Sequence, residues 1–269
     1  EGFSSQQVND KTFLNTFKIK AGLNFKSDKL GDVTAGLIFR DEKYSLQNFE
    51  IEDYVDPSQS INSSTVYLSA GYSKKIKQTQ FNFSSSNYLF GDSKSSSINS
   101  SIELDLKKKN SLKIALSLLN STPDYNHSLF SSNYVNYNWD NEFQNIKTKA
   151  LTLSLKLDKI INLDLDYMNI ANHIQFEQIE TGTVDNGFTY SIKPIQHESL
   201  IDLLKIKLNR SVSFGKFSID SSLMFQKSIS NDLVNVPNII SRNTIYFSSD
   251  LFKKALYLQT GFGVKYFSK

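Results

Sequence analysis

Apolar and polar side chains alternate along many stretches of this chain with a period of two residues. In Thr16–Phe25 the odd positions from Phe17 to Phe25 are apolar, whereas the even positions include Lys18 and Lys20. A β-strand places successive side chains on opposite faces, so this stretch predicts a strand with one apolar and one polar face. The apolar face would point inward in a soluble sandwich and outward, toward lipid, in a transmembrane barrel.

The same pattern recurs along the whole chain and predicts about twelve strands. The upper end of their length, roughly 8–11 residues, is what a tilted strand needs to cross a bilayer. The predicted strands are Thr16–Phe25, Val33–Arg40, Thr65–Ser73, Gln78–Asn87, Ile98–Leu106, Leu112–Leu119, Leu151–Leu157, Leu163–Tyr167, Leu200–Leu208, Phe217–Phe225, Asn238–Phe247 and Leu256–Tyr266.

The connections between these strands alternate in length. Short polar turns follow every odd-numbered strand, whereas the even-numbered strands are followed by the longer segments Asp41–Ser64, Tyr88–Ser97, Asn120–Ala150, Asn169–Ser199 and Ser228–Pro237. Outer-membrane barrels have short periplasmic turns and longer extracellular loops, whereas soluble sandwiches mix connection lengths. The alternation therefore favours an all-β fold, a transmembrane antiparallel up-and-down β-barrel. We expect the apolar face of Thr16–Phe25 to contact lipid.

Composition narrows the possible partners. The chain of 269 residues has no cysteine, a net charge of +3 and lysines spread along its length. It lacks a run of 18 apolar residues, so no transmembrane helix is predicted. The spread of charge does not indicate a nucleic-acid partner. We therefore expect an outer-membrane location, membrane lipid and lipopolysaccharide as surroundings, and no cofactor.

Charged residues on the polar faces are candidates for the lining of an enclosed lumen. Two interpretations stay open: rings of charge that bias which solutes pass, or opposite charges that pair across strands and keep the lumen hydrated. The candidates are Lys18, Lys20, Arg40, Glu103, Asp105, Lys113, Lys156, Asp164, Asp166, Lys205, Lys207, Asp220, Arg242 and Lys265.

The long connections contain the three histidines and the single tryptophan. His127, His173 and His197 are far apart in sequence, and the chain has neither a GxSxG nor an HExxH motif, so we predict no catalytic or metal site. The aromatic stretch Asn133–Trp139 could narrow the lumen, stack on a glycan or pack on the rim. Trp139 is therefore a candidate loop contact for a solute.

Three stretches together resemble the putative porin family of Bacteroidetes: Ser131–Asn145, Asn209–Gln226 and Asn235–Lys269. The resemblance extends from about Asn110 onward and implies an outer-membrane barrel with no catalytic residues. With the strand pattern, it leads us to expect a channel for passive diffusion of small hydrophilic solutes. The alternative is a non-conducting structural or interaction barrel, such as a subunit of an export or uptake assembly.

The resemblance also suggests that the barrel extends beyond this chain. Family members are longer, and the strand pattern normally continues beyond the closing residues KYFSK. If the short turns are periplasmic, the first predicted strand runs downward and the last runs upward, whereas complete barrels usually keep both termini in the periplasm. We therefore expect residues 1–269 to form a single barrel segment that is truncated at both ends.

Overall fold

The computed structural model is built almost entirely of β-strands. It describes residues 10–46, 50–51, 54–55, 60–132, 137–184, 187–230, 234 and 236–268, and the account below concerns these residues. Among them, no helix has both the length and the apolar character required to cross a membrane.

Eighteen strands, one short helix and two 3-10 turns follow one another along the chain. The strands are β1 Thr12–Ser27, β2 Gly31–Leu46, β3 Glu50–Ile51, β4 Tyr54–Val55, β5 Ser60–Ile76, β6 Thr79–Gly91, β7 Ser96–Asp105, β8 Ser111–Ser121, β9 Leu129–Phe130, β10 Trp139–Asp140, β11 Ile146–Leu157, β12 Ile161–Ala171, β13 His173–Val184, β14 Gly187–His197, β15 Ile201–Phe214, β16 Phe217–Ser228, β17 Ile239–Leu251 and β18 Leu256–Phe267. Helix α1 spans Tyr125–Ser128, and the 3-10 turns are Lys107–Lys109 and Phe252–Lys254.

Twelve of these strands form one antiparallel sheet, in the order β1-β2-β5-β6-β7-β8-β11-β12-β15-β16-β17-β18. Each corresponds to one predicted strand, so the up-and-down arrangement and the strand number are confirmed. Every strand pairs with its neighbour along this order, but β1 and β18 do not pair with each other. The sheet is therefore open, with one unpaired edge on each of these two strands.

Some connections differ from the prediction. Strand β2 continues to Leu46, so the connection after it begins six residues later than expected. The predicted long connection Tyr88–Ser97 is wrong, because only residues 92–95 separate β6 from β7. The segment Asn169–Ser199 is not irregular: most of it forms the hairpin β13–β14.

The continuous register divides the sheet into two faces. Paired residues of antiparallel strands share a face, and a single bulge, between Val66 and Tyr67 in the β5–β6 pair, interrupts the ladder of the large sheet. One face is apolar along most strands and strongly exposed, as shown by Leu23 (84% exposed) and Phe262 (65%). The other face is polar and lines the cavities of the sheet.

Among the described residues, nothing packs against the apolar face. The buried hydrophobic residues of this part of the chain are a small cluster of Tyr44, Leu46 and Leu129 on the polar face and, outside that cluster, Tyr67, Ile174 and Ile201. Water-soluble monomers rarely expose contiguous apolar surface of this extent. Its alternation with a polar face is the arrangement of transmembrane barrels, in which the apolar band contacts lipid. The apolar face is called the outer face and the polar face the inner face below.

Candidate functional site

The fourteen charged residues predicted to line a lumen all belong to the inner face. The register connects them strand by strand, beginning with Lys18 opposite Arg40 on β1 and β2 and ending with Arg242 opposite Lys265 on β17 and β18. The remaining ten are Lys20 on β1 and, on strands between β7 and β16, Glu103, Asp105, Lys113, Lys156, Asp164, Asp166, Lys205, Lys207 and Asp220. These fourteen residues therefore project toward one side of the sheet.

Opposite charges meet in the middle of the inner face. Lys205 Nζ lies 3.3 Å from Asp166 Oδ2, and Thr152 Oγ1 donates a hydrogen bond of 2.7 Å to the same carboxylate. Asp164 is paired in register with Lys207. Such cross-strand pairs neutralise part of the charge on this wall.

Like charges face each other near the two edges of the sheet. Lys18 is paired in register with Arg40, and Arg242 with Lys265. Between these regions, strands β5 to β7 present small neutral side chains on the inner face, including Ser69, Ser84 and Ser97. The wall is thus positive near its edges, neutral around these serines and mixed in charge in the middle, and Glu103 and Asp105 add negative charge near the end of β7.

The connection after β8 folds inward onto the wall formed by β2. Tyr125 Oη donates a hydrogen bond of 2.9 Å to Glu42 Oε2, and its ring stacks on Tyr44 at 5.5 Å between centroids. Tyr44 Oη in turn donates to the carbonyl oxygen of Leu129 at 3.0 Å. Residues 122–132, called the inward segment below, are therefore attached to a strand that lies four places away in the sheet.

Glu42 is the centre of this attachment. Its residue is 5% exposed, and its carboxylate also accepts hydrogen bonds from Arg40 at 2.6 Å and from Thr16 at 3.4 Å. A buried carboxylate is stable only when it is paired and hydrogen-bonded, as it is here. Burial and the hydrogen bond to Glu42 raise the pKa of Tyr125 to about 12, so this tyrosine remains a protonated donor at neutral pH.

The short connection between β6 and β7 also folds over the inner face. The backbone N–H of Ser93 donates to Thr65 Oγ1 at 2.9 Å, and Tyr67 Oη donates to Ser93 Oγ at 3.0 Å. Ser95 Oγ donates to Tyr67 Oη at 3.0 Å, which extends this hydroxyl network. Thr65 and Tyr67 are buried, so the connection is held rigidly against the wall.

A cavity of about 690 Å³ remains between the wall and these two inward connections. Its lining includes Lys18 and Arg40 from β1 and β2, Ser97 from β7 and Tyr125 from the inward segment. The cavity is open, is lined by both polar and apolar side chains, and is of a size that holds a small molecule. It is the best-defined candidate site in the described part of the chain.

Comparison with known proteins agrees with this architecture. A family model described as "putative porin" matches residues 1–269. The chain belongs to the putative porin family. The match is more extensive than the resemblance seen in the sequence, and it identifies this chain as an outer-membrane barrel protein.

Solved structures similar to this putative porin are outer-membrane receptors and transporters. The siderophore receptor PirA from Pseudomonas aeruginosa has a TM-score of 0.64 at 11% identity, over 94% of this chain and 48% of that one. The copper transporter OprC has a TM-score of 0.59 at 14% identity, over 88% and 41%. The alcaligin receptor FauA from Bordetella pertussis has a TM-score of 0.56 at 13% identity, over 97% and 47%. At these identities the similarity establishes the fold alone.

The putative porin spans less than half the length of these three structures. No curated protein matches it in sequence.

Trp139 of the putative porin packs within an aromatic cluster at the rim that carries the long connections. Its ring stacks on Phe130 at 4.9 Å and lies 5.7 Å from the ring of Phe176. Its indole N–H donates to the carbonyl oxygen of Asn126 at 2.9 Å. Residues 133–136 of the aromatic stretch lie outside the described residues. The proposed contact of Trp139 with a solute stays a prediction.

The three histidines are closer together than their sequence spacing suggests. His173 and His197 are register partners in the hairpin β13–β14, and His197 Nε2 lies 2.7 Å from Glu177 Oε1. The ring of His127 lies 5.2 Å from that of Phe176 in the same hairpin. Burial, together with the nearby His197 and His127, lowers the pKa of His173. Within the described ranges, no group of three His, Cys, Asp or Glu side chains is placed to hold a metal ion.

Sequence reasoning missed Glu42, Tyr44 and Tyr125. The first two were assigned to a loop because polar residues at Lys43 and Ser45 end the apolar alternation there. The inner-face period nevertheless continues from Arg40 through Glu42 and Tyr44, and this continuation was the available signal. Tyr44 is accordingly 4% exposed on the inner face.

Proposed function

We propose that this chain forms the wall of an outer-membrane channel through which small hydrophilic solutes diffuse passively. The observation that carries the proposal is the polar inner face, on which two inward connections leave an open cavity instead of filling the space with apolar side chains. A hydrated wall lowers the free-energy barrier for polar solutes that cross the membrane, and the apolar outer face anchors the wall in lipid.

The fourteen inner-face charges would tune this passage. Positive residues near the sheet edges would attract anions, whereas the paired charges in the middle, such as Asp166 with Lys205, have little net field. We propose a weak preference for anionic solutes, with the inward segment as the narrowest point of the path.

Single-channel recording in planar bilayers tests the proposal. Stepwise openings of constant size are expected from the full protein, and conductance should increase when the inward segment is detached from Glu42. Absence of any conductance steps from correctly folded protein would contradict a passive channel.

A second candidate is a barrel that does not conduct by itself and belongs to an uptake or export assembly. The two inward connections favour it, because a partly obstructed lumen suits gated transport. The structural neighbours titled as a siderophore receptor and a copper transporter have the same type of fold. Folded protein that remains closed in bilayers would favour this second function.

We also propose that further strands complete the barrel. The outer edges of β1 and β18 leave backbone N–H and C=O groups unpaired, and such groups are not tolerated in hydrocarbon. Because the chain has no cysteine, single cysteines at Ala21 and Phe262 offer a direct test. A disulfide between them in the membrane-inserted full protein would show that the sheet closes after twelve strands, whereas its absence under oxidation is expected.

A further inference from the structure

Six turns on one rim of the twelve-stranded sheet all carry lysine, whereas the β6–β7 connection, which is also short, lies on the opposite rim and carries Lys94. The antiparallel order places the connections β1–β2, β5–β6, β7–β8, β11–β12, β15–β16 and β17–β18 at one end of the strands. One exposed lysine from each turn, in that order, is Lys29, Lys77, Lys107, Lys159, Lys216 and Lys253. The carboxylates within the same turns are Asp28 and Asp158. This short-turn rim is therefore strongly basic.

The backbone of these turns does not favour lysine. Lysine occupies positive-φ positions in four different turns: Lys77 (53°), Lys109 (62°), Lys159 (60°), and both Lys253 (55°) and Lys254 (74°). Glycine and asparagine tolerate this conformation best. The chain uses glycine at the two other turns, where Gly31 and Gly215 have φ of 90° and 59°. The geometry of the turn therefore does not explain lysine in these four turns, and one such lysine from each turn (Lys77, Lys109, Lys159 and Lys254) is considered below.

These four ammonium groups are not used inside the protein. Among the described residues, the ion pair on this rim is between Lys75 Nζ and Asp105 Oδ2, at 2.6 Å. Lys77, Lys109, Lys159 and Lys254 have no carboxylate within ion-pair distance in the part of the chain that the structure describes. Their charges are available to a ligand outside the sheet.

Each turn also exposes a large apolar side chain next to its lysine. Leu30 (64% exposed), Leu106, Ile160 (59%) and Phe252 (77%) lie within four of the turns, and Ile76 and Phe214 flank the other two. Apolar groups beside lysines are typical of the boundary between acyl chains and headgroups, where the ammonium extends to the phosphate. The combination repeats in all six turns of the rim.

We propose that the short-turn rim binds the phosphate groups of anionic phospholipids in the leaflet on the periplasmic side. This side follows from the assignment of short turns to the periplasm in outer-membrane barrels. Each lysine near an anionic surface strengthens binding roughly fivefold. The lysines of the short-turn rim hold this end of the sheet at the level of the headgroups, which fixes the depth of the strands in the bilayer.

The test compares two sets of four substitutions in the full protein. The rim set is Lys77→Asn, Lys109→Asn, Lys159→Asn and Lys254→Asn. The matched set removes four exposed lysines from the other end of the sheet and its hairpin: Lys94→Asn, Lys147→Asn, Lys149→Asn and Lys193→Asn. Native mass spectrometry in detergent measures the apparent affinity for phosphatidylglycerol and for zwitterionic phosphatidylethanolamine. Thermal unfolding checks that the rim set is folded, which is expected because asparagine suits positive φ.

The proposal predicts that the rim set weakens phosphatidylglycerol binding at least tenfold, with little change in phosphatidylethanolamine binding. The matched set should retain most of the wild-type affinity, and Lys→Arg at the four rim positions should restore it. Equal losses of phosphatidylglycerol affinity in the two sets would mean that net charge alone determines binding. Unchanged affinity in the rim set would mean that another surface binds the lipid. Full competition by millimolar inorganic phosphate would indicate an isolated phosphate site. Each of these three results overturns the proposal.

Discussion

The attachment of the inward segment to β2 is open to a precise perturbation, Tyr125→Phe. The substitution removes the hydroxyl that donates to Glu42 at 2.9 Å but keeps the ring stacked on Tyr44. A hydrogen bond to a buried charged group contributes about 1.5–3 kcal/mol. Glu42 is 5% exposed and keeps Arg40 and Thr16 as partners, so we expect a loss of about 2 kcal/mol.

A loss of this size shifts the equilibrium between docked and released segment roughly 30-fold. Hydrogen–deuterium exchange of peptides covering residues 122–132 should accelerate by about that factor, while peptides from β11 and β12 remain unchanged. Single-channel conductance should rise in parallel if the segment narrows the lumen. Tyr88→Phe is the matched control, because its hydroxyl donates to the neutral carbonyl oxygen of Gly91 at an exposed position. Equal exchange rates in the two variants would refute the attachment described here.

Three further predictions concern the wall and the rim hairpin. Lys205→Met should raise the permeability of cations relative to anions and cost about 1 kcal/mol of stability, because it leaves Asp166 without its positive partner. Reversal potentials in a salt gradient measure this permeability ratio. The same ratio in Lys227→Met, a substitution on the outer face, would contradict the prediction. The hairpin β13–β14 should be fully stable above pH 6.5 and lose stability as the pH falls toward the lowered pKa of His173, because the open hairpin binds the proton more readily. Hydrogen–deuterium exchange, corrected for the intrinsic effect of pH, should show this loss of stability. The loss should be absent in His173→Gln. Added oligosaccharide should quench the fluorescence of Trp139 if this ring contacts solute, and an unchanged spectrum would remove it from the candidate site.

The strands and their two faces were predictable because each depends on local alternation. The period from Phe17 to Phe25 marks both the strand and the side that contacts lipid, and the register then places Lys18 and Arg40 on the same wall without further information. The inward segment was not predictable in this way. Tyr125 meets Glu42 across 83 residues of sequence, and nothing local distinguishes it from a tyrosine in an exposed loop.

The histidines illustrate the same limit of local patterns. His173 and His197 become neighbours because β13 and β14 pair, and the alternation within this hairpin is too irregular to indicate a strand. The short turns show the opposite case. Their lysines were visible in the sequence, but the meaning of Lys77 or Lys159 depends on a positive φ that only the structure reveals.

The most direct test of the account is the side to which each face of one central strand points. Because the chain contains no cysteine, spin labels can be attached one at a time along β11 at Leu151, Thr152, Leu153, Ser154 and Leu155. In lipid bilayers, labels at the three leucine positions should be more accessible to oxygen, and labels at Thr152 and Ser154 to a water-soluble nickel complex. The reverse alternation, or equal accessibility at all five positions, would contradict a wall with its apolar face in lipid and its charged face in water.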